Sequence, residues 1–156
     1  MHVSRIGFLL AALFCLSAAM AQAKPNFTGT WKLSTDKSDF GPIPGPTSQT
    51  DKIDQQDASM KINRTQAGQR GEATYDLTYT LDGEERSNLI RGNTVKSKAK
   101  WNGDALDIET KLTAQDNELT ITDKWTLAED GKSITIARHI VSTQGELDQK
   151  LVMVKQ

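Results

Sequence analysis

The chain has 156 residues, 37% of them apolar and 25% charged, with a formal net charge of −1. That near-balance excludes the basic face that nucleic acid requires, and the length suffices for one domain with a real core. The single cysteine, Cys15, lies in an N-terminal apolar run, so the rest of the chain can form neither a disulfide nor a thiolate metal site.

Residues 1–23 have the layout of a secretory signal. Arg5 supplies the positive start, and an apolar run of about fourteen residues follows, too short for a membrane span. Ala21-Gln22-Ala23 is a small-x-small cleavage site, and no second apolar run follows. Residues 24–156 are therefore expected to form one secreted or periplasmic domain with no membrane span.

The domain opens on Phe27-Thr28-Gly29-Thr30-Trp31-Lys32-Leu33, an alternating segment that predicts a first strand. Residues 39–46 then carry three prolines and two glycines, which excludes regular structure and predicts an exposed connector or strap over one barrel end. Beyond Pro46 helical periodicity is absent. Period-2 alternation predicts strands over 47–55, 59–66, 72–81, 84–91, 94–101, 104–115, 118–129, 132–143 and 146–155. With the first strand this makes about ten, separated by short turns such as Gln56-Asp57, Asp82-Gly83 and Asp130-Gly131. Closing such a meander removes its exposed edges, so the expected fold is all-β: a closed antiparallel barrel.

Each turn fixes a register. Asp130-Gly131 places Leu127 opposite Ile134, Trp125 opposite Ile136 and Asp123 opposite Arg138. Asn102-Gly103 places Ala99 opposite Leu106 and Val95 opposite Thr110. Asp116-Asn117 places Thr110 opposite Asp123, and Gln144-Gly145 places Arg138 opposite Leu151. Asp82-Gly83 places Tyr79 opposite Arg86 and Tyr75 opposite Ile90. In every hairpin the apolar residues share one face, which a one-residue slip would destroy. The other face carries Lys96, Lys98, Lys100, Lys111 and Lys124, as a solvated wall should.

The opening Phe27-Thr28-Gly29-Thr30-Trp31-Lys32-Leu33 resembles the Gly-x-Trp first strand of the calycins, the superfamily of lipocalins and fatty-acid-binding proteins. The resemblance implies a barrel with an internal ligand cavity and a basic residue capping the tryptophan, for which Lys155 is the candidate. Two departures stand out. The short helices that follow the first strand in fatty-acid-binding proteins are replaced by the Pro/Gly segment. Their Arg-x-Tyr carboxylate clamp on the last strand is absent, with Gln149, Leu151 and Met153 in the inward positions.

Several polar residues fall on the inward face: Arg64, Arg86, Asn88, Thr110, Asp123, Arg138, Gln149 and, with a less defined register, Asp51. A buried unpaired charge costs several kcal/mol, so each must be paired, hydrated or bound to a ligand. Asp123 and Arg138 can pair with each other, whereas Arg64 and Arg86 receive no acid from the same registers. One reading is a partly hydrated cavity whose arginines grip an anionic head group, with Tyr79 and Trp125 among the lining residues. The ligand-binding set is then Arg64, Arg86, Asp123, Arg138, Tyr79, Trp125, Thr110 and Gln149. The other is an internal salt bridge in a filled barrel, with arginines near the barrel ends reaching solvent.

No catalytic constellation is present. His139 is the one histidine after residue 23 and faces outward, and no nucleophile elbow or phosphate loop occurs. The sequence thus points to a non-enzymatic protein without metal or cofactor that binds a small lipophilic or anionic molecule. The alternative is an envelope interaction protein with a filled barrel.

Overall fold

The computed structural model describes residues 23–114 and 117–156. The secretory signal and Cys15 lie outside the described residues. The elements in chain order are β1 (Gly29–Leu33), a 3-10 turn (Thr35–Lys37), β2 (Ser48–Gln56), β3 (Ser59–Ala67), β4 (Ala73–Thr80) and β5 (Asp82–Ile90). They continue with β6 (Asn93–Asn102), β7 (Ala105–Ala114), β8 (Asn117–Leu127), β9 (Ser133–Ser142) and β10 (Gly145–Lys155). All ten strands form one antiparallel sheet, in which β1 bonds to both β2 and β10. The result is the expected all-β meander, curled into a nearly closed barrel.

The barrel wall has one seam. β4 and β5 are the two ends of the hydrogen-bonded order and share no ladder, although only Leu81 separates them in the chain. The Tyr79–Arg86 and Tyr75–Ile90 pairings expected from Asp82-Gly83 are therefore not formed. On its other side β5 pairs with β6, with a bulge between Asp82 and Glu85. In place of a ladder, the Asn88 side chain spans the gap. Its Oδ1 accepts from the Thr78 N–H at 2.7 Å and its Nδ2 donates to the Thr78 carbonyl at 3.2 Å. A side-chain amide carries the donor and acceptor of a peptide group, which is why Asn can stand in for a missing strand bond. Asn88→Ala is expected to cost about 1–3 kcal/mol. It should also accelerate amide exchange at Thr78 more than at Leu77, and exchange measured residue by residue checks this.

The Asp130-Gly131 register is as expected: Leu127 pairs with Ile134, Trp125 with Ile136 and Asp123 with Arg138. Three other hairpins are displaced by two residues. Their closing pairs are Asn102↔Ala105, Ala114↔Asn117 and Gly145↔Ser142. Ala99 thus faces Ile108, Thr110 faces Ser97 and Ile121, and Arg138 faces Gln149. A shift of two preserves which face each side chain occupies, so the apolar pattern cannot detect it.

The core explains the opening motif. Phe27 and Trp31 are fully buried, and the Trp31 Nε1–H donates to the Phe27 carbonyl at 2.8 Å. Phe27 stacks on Trp101 (6.1 Å) and meets Trp125 edge-on (5.8 Å), so the N-terminal segment plugs one barrel end. Lys155 lies over the Trp31 ring at 5.4 Å, the basic cap the resemblance implies. Gly29 permits this: its φ is +145°, and a Cβ there would stand 3.1 Å from the Lys155 Cε. At the opposite end the Pro/Gly segment forms a strap. Asp39 bridges Lys150 through paired backbone bonds of 2.7 Å, and Gly45 packs against the Phe40 ring so tightly that any Cβ would collide at 2.3 Å.

Candidate functional site

A cavity of about 190 Å³ lies inside the barrel. β3, β4, β5, β7, β8 and β9 build its wall, β5 through Ile90. Apolar faces come from Leu77, Ile108, Ile121 and Trp125, and polar ones from Arg64, Tyr79, Thr110, Asp123 and Arg138. Six of the eight residues expected to line a ligand site are thus gathered around one space. The other two are elsewhere. Arg86 is exposed at the seam, where its Nε stands 3.4 Å from the Thr80 hydroxyl and its charge helps hold the exposed Asp82 carboxyl low. Larger contributions to that shift are the Glu84 N–H and the Thr80 hydroxyl. Gln149 works as a latch: its Nε2 donates to the Phe40 carbonyl at 2.9 Å and holds the strap to β10.

Both cavity arginines are already occupied. Arg138 clasps Asp123 with Nε and Nη2, each at 2.7 Å. Arg64 clasps Asp51 in the same two-pronged way, at 2.8 and 2.6 Å. The sequence registers missed this second partner because the turn lies at Asp57-Ala58 rather than Gln56-Asp57, and Asp51 pairs directly with Arg64 across β2 and β3. Asp51 is wholly buried, and its Oδ2 also accepts from Gln49 Nε2 at 3.2 Å. The chain of bonds continues outward: Gln66 Nε2 donates to Gln49 Oε1 (2.9 Å) and the Tyr75 hydroxyl donates to Gln66 Oε1 (3.2 Å). Thr110 shares a 3.0 Å hydroxyl bond with Ser97.

These pairs decide the electrostatics. Burial alone would lower the pKa of each guanidinium, yet Asp51 holds Arg64 and Asp123 holds Arg138 above the ordinary arginine value. The paired charges of the cavity wall therefore cancel. Tyr79 sits within the field of both pairs, and burial first of all pushes its phenol up to about 12. The folded state thus keeps this proton where the unfolded chain, with a pKa near 10, loses it. Stability on this account is full below pH ~10 and falls as pH rises from ~10 to ~12, by on the order of 3 kcal/mol. Tyr79→Phe is expected to flatten that decline, and denaturant titrations across this pH range measure it.

Beside the cavity lies a second pocket. This pocket, of about 150 Å³, has Ile90, Thr110 and Ile121 in common with the cavity and adds the apolar Val95, Leu112 and Leu119. Its rim is held by Arg91, whose φ of 49° turns the β5–β6 connection. The Arg91 guanidinium donates to the carbonyls of Gln66, Arg70 and Gly71 at 2.9–3.3 Å, tying that turn to the β3–β4 loop. Among the described residues no cluster of three or more His, Cys, Asp or Glu side chains is placed to hold a metal ion. His139 lies on the outer face between Asp148 (2.7 Å) and Glu146 (3.5 Å), away from the cavity.

No protein-family model matches the chain, and no curated protein matches it in sequence. Solved structures do. A secretory abundant heat soluble protein of Ramazzottius varieornatus aligns with a TM-score of 0.61 at 16% identity, over 83% of this chain and 94% of that one. The zebrafish ileal bile acid-binding protein, complexed with cholic acid, aligns at 0.60 and 14% identity, over 83% and 98%. The fatty-acid-binding protein of Manduca sexta aligns at 0.56 and 17% identity, over 83% and 99%. Ten meandering strands, a Gly-x-Trp opening under a lysine cap and these alignments together give the chain the calycin fold, in its fatty-acid-binding-protein-like form.

Proposed function

We propose that the protein is a secreted or periplasmic carrier that reversibly binds a small lipophilic molecule inside its barrel, without catalysing a reaction. One observation carries this reading: an internal cavity with both polar and apolar walls, with a second, largely apolar pocket beside it. At about 190 Å³ the cavity is large enough to hold water or part of a small molecule. That weighs against the alternative of a filled barrel acting through its surface. Solved barrels of the same fold include fatty-acid-binding and bile acid-binding proteins, and one is complexed with arachidonic acid. Secretion rests on the signal-like residues 1–23. Absence of catalysis accords with the engagement of both Asp51 and Asp123, whose carboxylate oxygens are each held by an arginine rather than presented to a substrate.

The test is native mass spectrometry of the purified chain, followed by titration with Nile red after solvent extraction. The reading expects an extractable small molecule or saturable one-to-one dye binding, and loss of that binding in Ile121→Trp, since Ile121 lines both pockets and the larger ring would fill them. A barrel that retains no small molecule and takes up no dye saturably would contradict it.

A further inference from the structure

Polar groups inside a protein are matched in the great majority, and an unmatched one marks a place where something else belongs. The cavity wall has three such groups that are open to its space. Tyr79 lines the cavity and is only 6% exposed, yet its hydroxyl has no hydrogen-bond partner among the described residues. Nor is that hydroxyl sealed in protein. Among the described residues, the one side-chain nitrogen or oxygen both unpartnered and closed to a water-sized atom is the indole nitrogen of Trp125. The two guanidinium groups behave as the phenol does. Arg64 and Arg138 each engage an aspartate through Nε and Nη2, which leaves Nη1 without a protein acceptor and open in the same sense. Both arginines line the cavity and lie within electrostatic reach of the Tyr79 phenol. The three groups are donors, and a guanidinium can only donate. Further negative charge is not what they lack, because each guanidinium is matched by the carboxylate it clasps. A ligand carboxylate would set three anions against two cations in a space withdrawn from water, and the odd charge is costly there. A carbonyl oxygen accepts the same bonds without bringing that charge.

We infer that the cavity holds a compact, uncharged carbonyl compound (a ketone, ester or amide) whose oxygen accepts from the Tyr79 hydroxyl and from a free Nη1 of Arg64 or Arg138. The inference rests on the reading of the barrel as a carrier and names the head group of its ligand. Burial keeps the Tyr79 phenol protonated at neutral pH, so it stays a donor. The body of the ligand meets Leu77, Ile90, Ile108 and Ile121 on the same wall. A volume of about 190 Å³ lies below the range of about 300–1,000 Å³ typical of pockets for drug-sized ligands, which favours a compact body over a long-chain lipid.

The experiment titrates the purified, solvent-extracted chain at neutral pH with naphthalene, 2-acetylnaphthalene and 2-naphthoate, which differ only in the group at one carbon. The ketone is expected to bind at least about fivefold more tightly than naphthalene, the equivalent of one net hydrogen bond, and at least about tenfold more tightly than 2-naphthoate. In Tyr79→Phe the ketone should weaken by about three- to tenfold, while naphthalene, which has no acceptor, changes by less than about twofold. A hydroxyl that served the fold alone would move both ligands together. Binding of 2-naphthoate as tight as that of the ketone overturns the uncharged head group. A ketone no tighter than naphthalene overturns the donor site. Saturable dye uptake without binding of any of the three also overturns the inference, and each of these results leaves the carrier reading in place. A ketone preference unchanged in Tyr79→Phe overturns the role given to the phenol. Binding of none of the three, together with no saturable dye uptake, removes the carrier reading itself. The ranking of the three on the unaltered chain needs no variant, so it decides even where Tyr79→Phe fails to fold.

Discussion

Replacing Arg64 by methionine is expected to destabilise the barrel by about 3–5 kcal/mol, a fall in Tm on the order of 10 °C. The reason lies in what is left behind. Asp51 is fully buried, and without the guanidinium its carboxylate keeps only the bond from Gln49. The corresponding change at Arg138 should cost less, because the Asp123–Arg138 side chains are 12% and 20% exposed against 1% and 11% for Asp51–Arg64. Removing both members of the inner pair, as Asp51→Leu with Arg64→Met, should recover most of the loss. Two charges that satisfy only each other contribute little beyond apolar residues of similar size. Denaturant midpoints of the two single variants and the double variant read this directly. A double variant no more stable than Arg64→Met would show that the pair does more than neutralise itself.

Phe27→Ala is expected to cost about 3–5 kcal/mol as well, for a different reason. Phe27 is fully buried between the Trp101 and Trp125 rings, and its carbonyl receives the Trp31 indole. The ring is contributed by a segment outside the regular strands, fastened to β2 by two bonds of Gln55: its Oε1 accepts from the Phe27 N–H and its Nε2 donates to the Pro25 carbonyl. Truncation leaves a void beneath the plugged end that the neighbouring tryptophans cannot close without leaving their rotamers. The expected sign in solution is a lower denaturation midpoint together with a red shift of tryptophan emission as Trp125 meets water. A midpoint within 1 kcal/mol of the unaltered chain would mean that the N-terminal segment is not part of the core.

The strands were legible because alternation of apolar and polar residues survives nearly everywhere, and parity alone sorted inside from outside. Register was legible only where the turn could be located to the residue. At Asp130-Gly131 it was, and Asp123–Arg138 followed as a pair. At Asp57-Ala58 the turn lay one residue beyond the assumed position, and Asp51 was missed as the partner of Arg64. No pattern of period two can correct a slip of two residues. The fates of Arg86 and Gln149 were illegible for another reason. Both have inward parity, but one stands at a seam where the ladder is interrupted and the other lies under the strap. Their positions depend on contacts between distant segments, which local alternation does not encode.

The most direct test of the neutral, self-satisfied cavity is the set of indole N–H resonances of the three tryptophans during titration with methyl decanoate. Trp125 lines the cavity without a protein acceptor, Trp31 is bonded to the Phe27 carbonyl, and Trp101 lies at the plugged end against Phe27. The predicted result is a saturable shift of the Trp125 indole proton, with the other two moving little. A titration that leaves Trp125 in place, or moves Trp101 alone, would contradict binding inside the barrel.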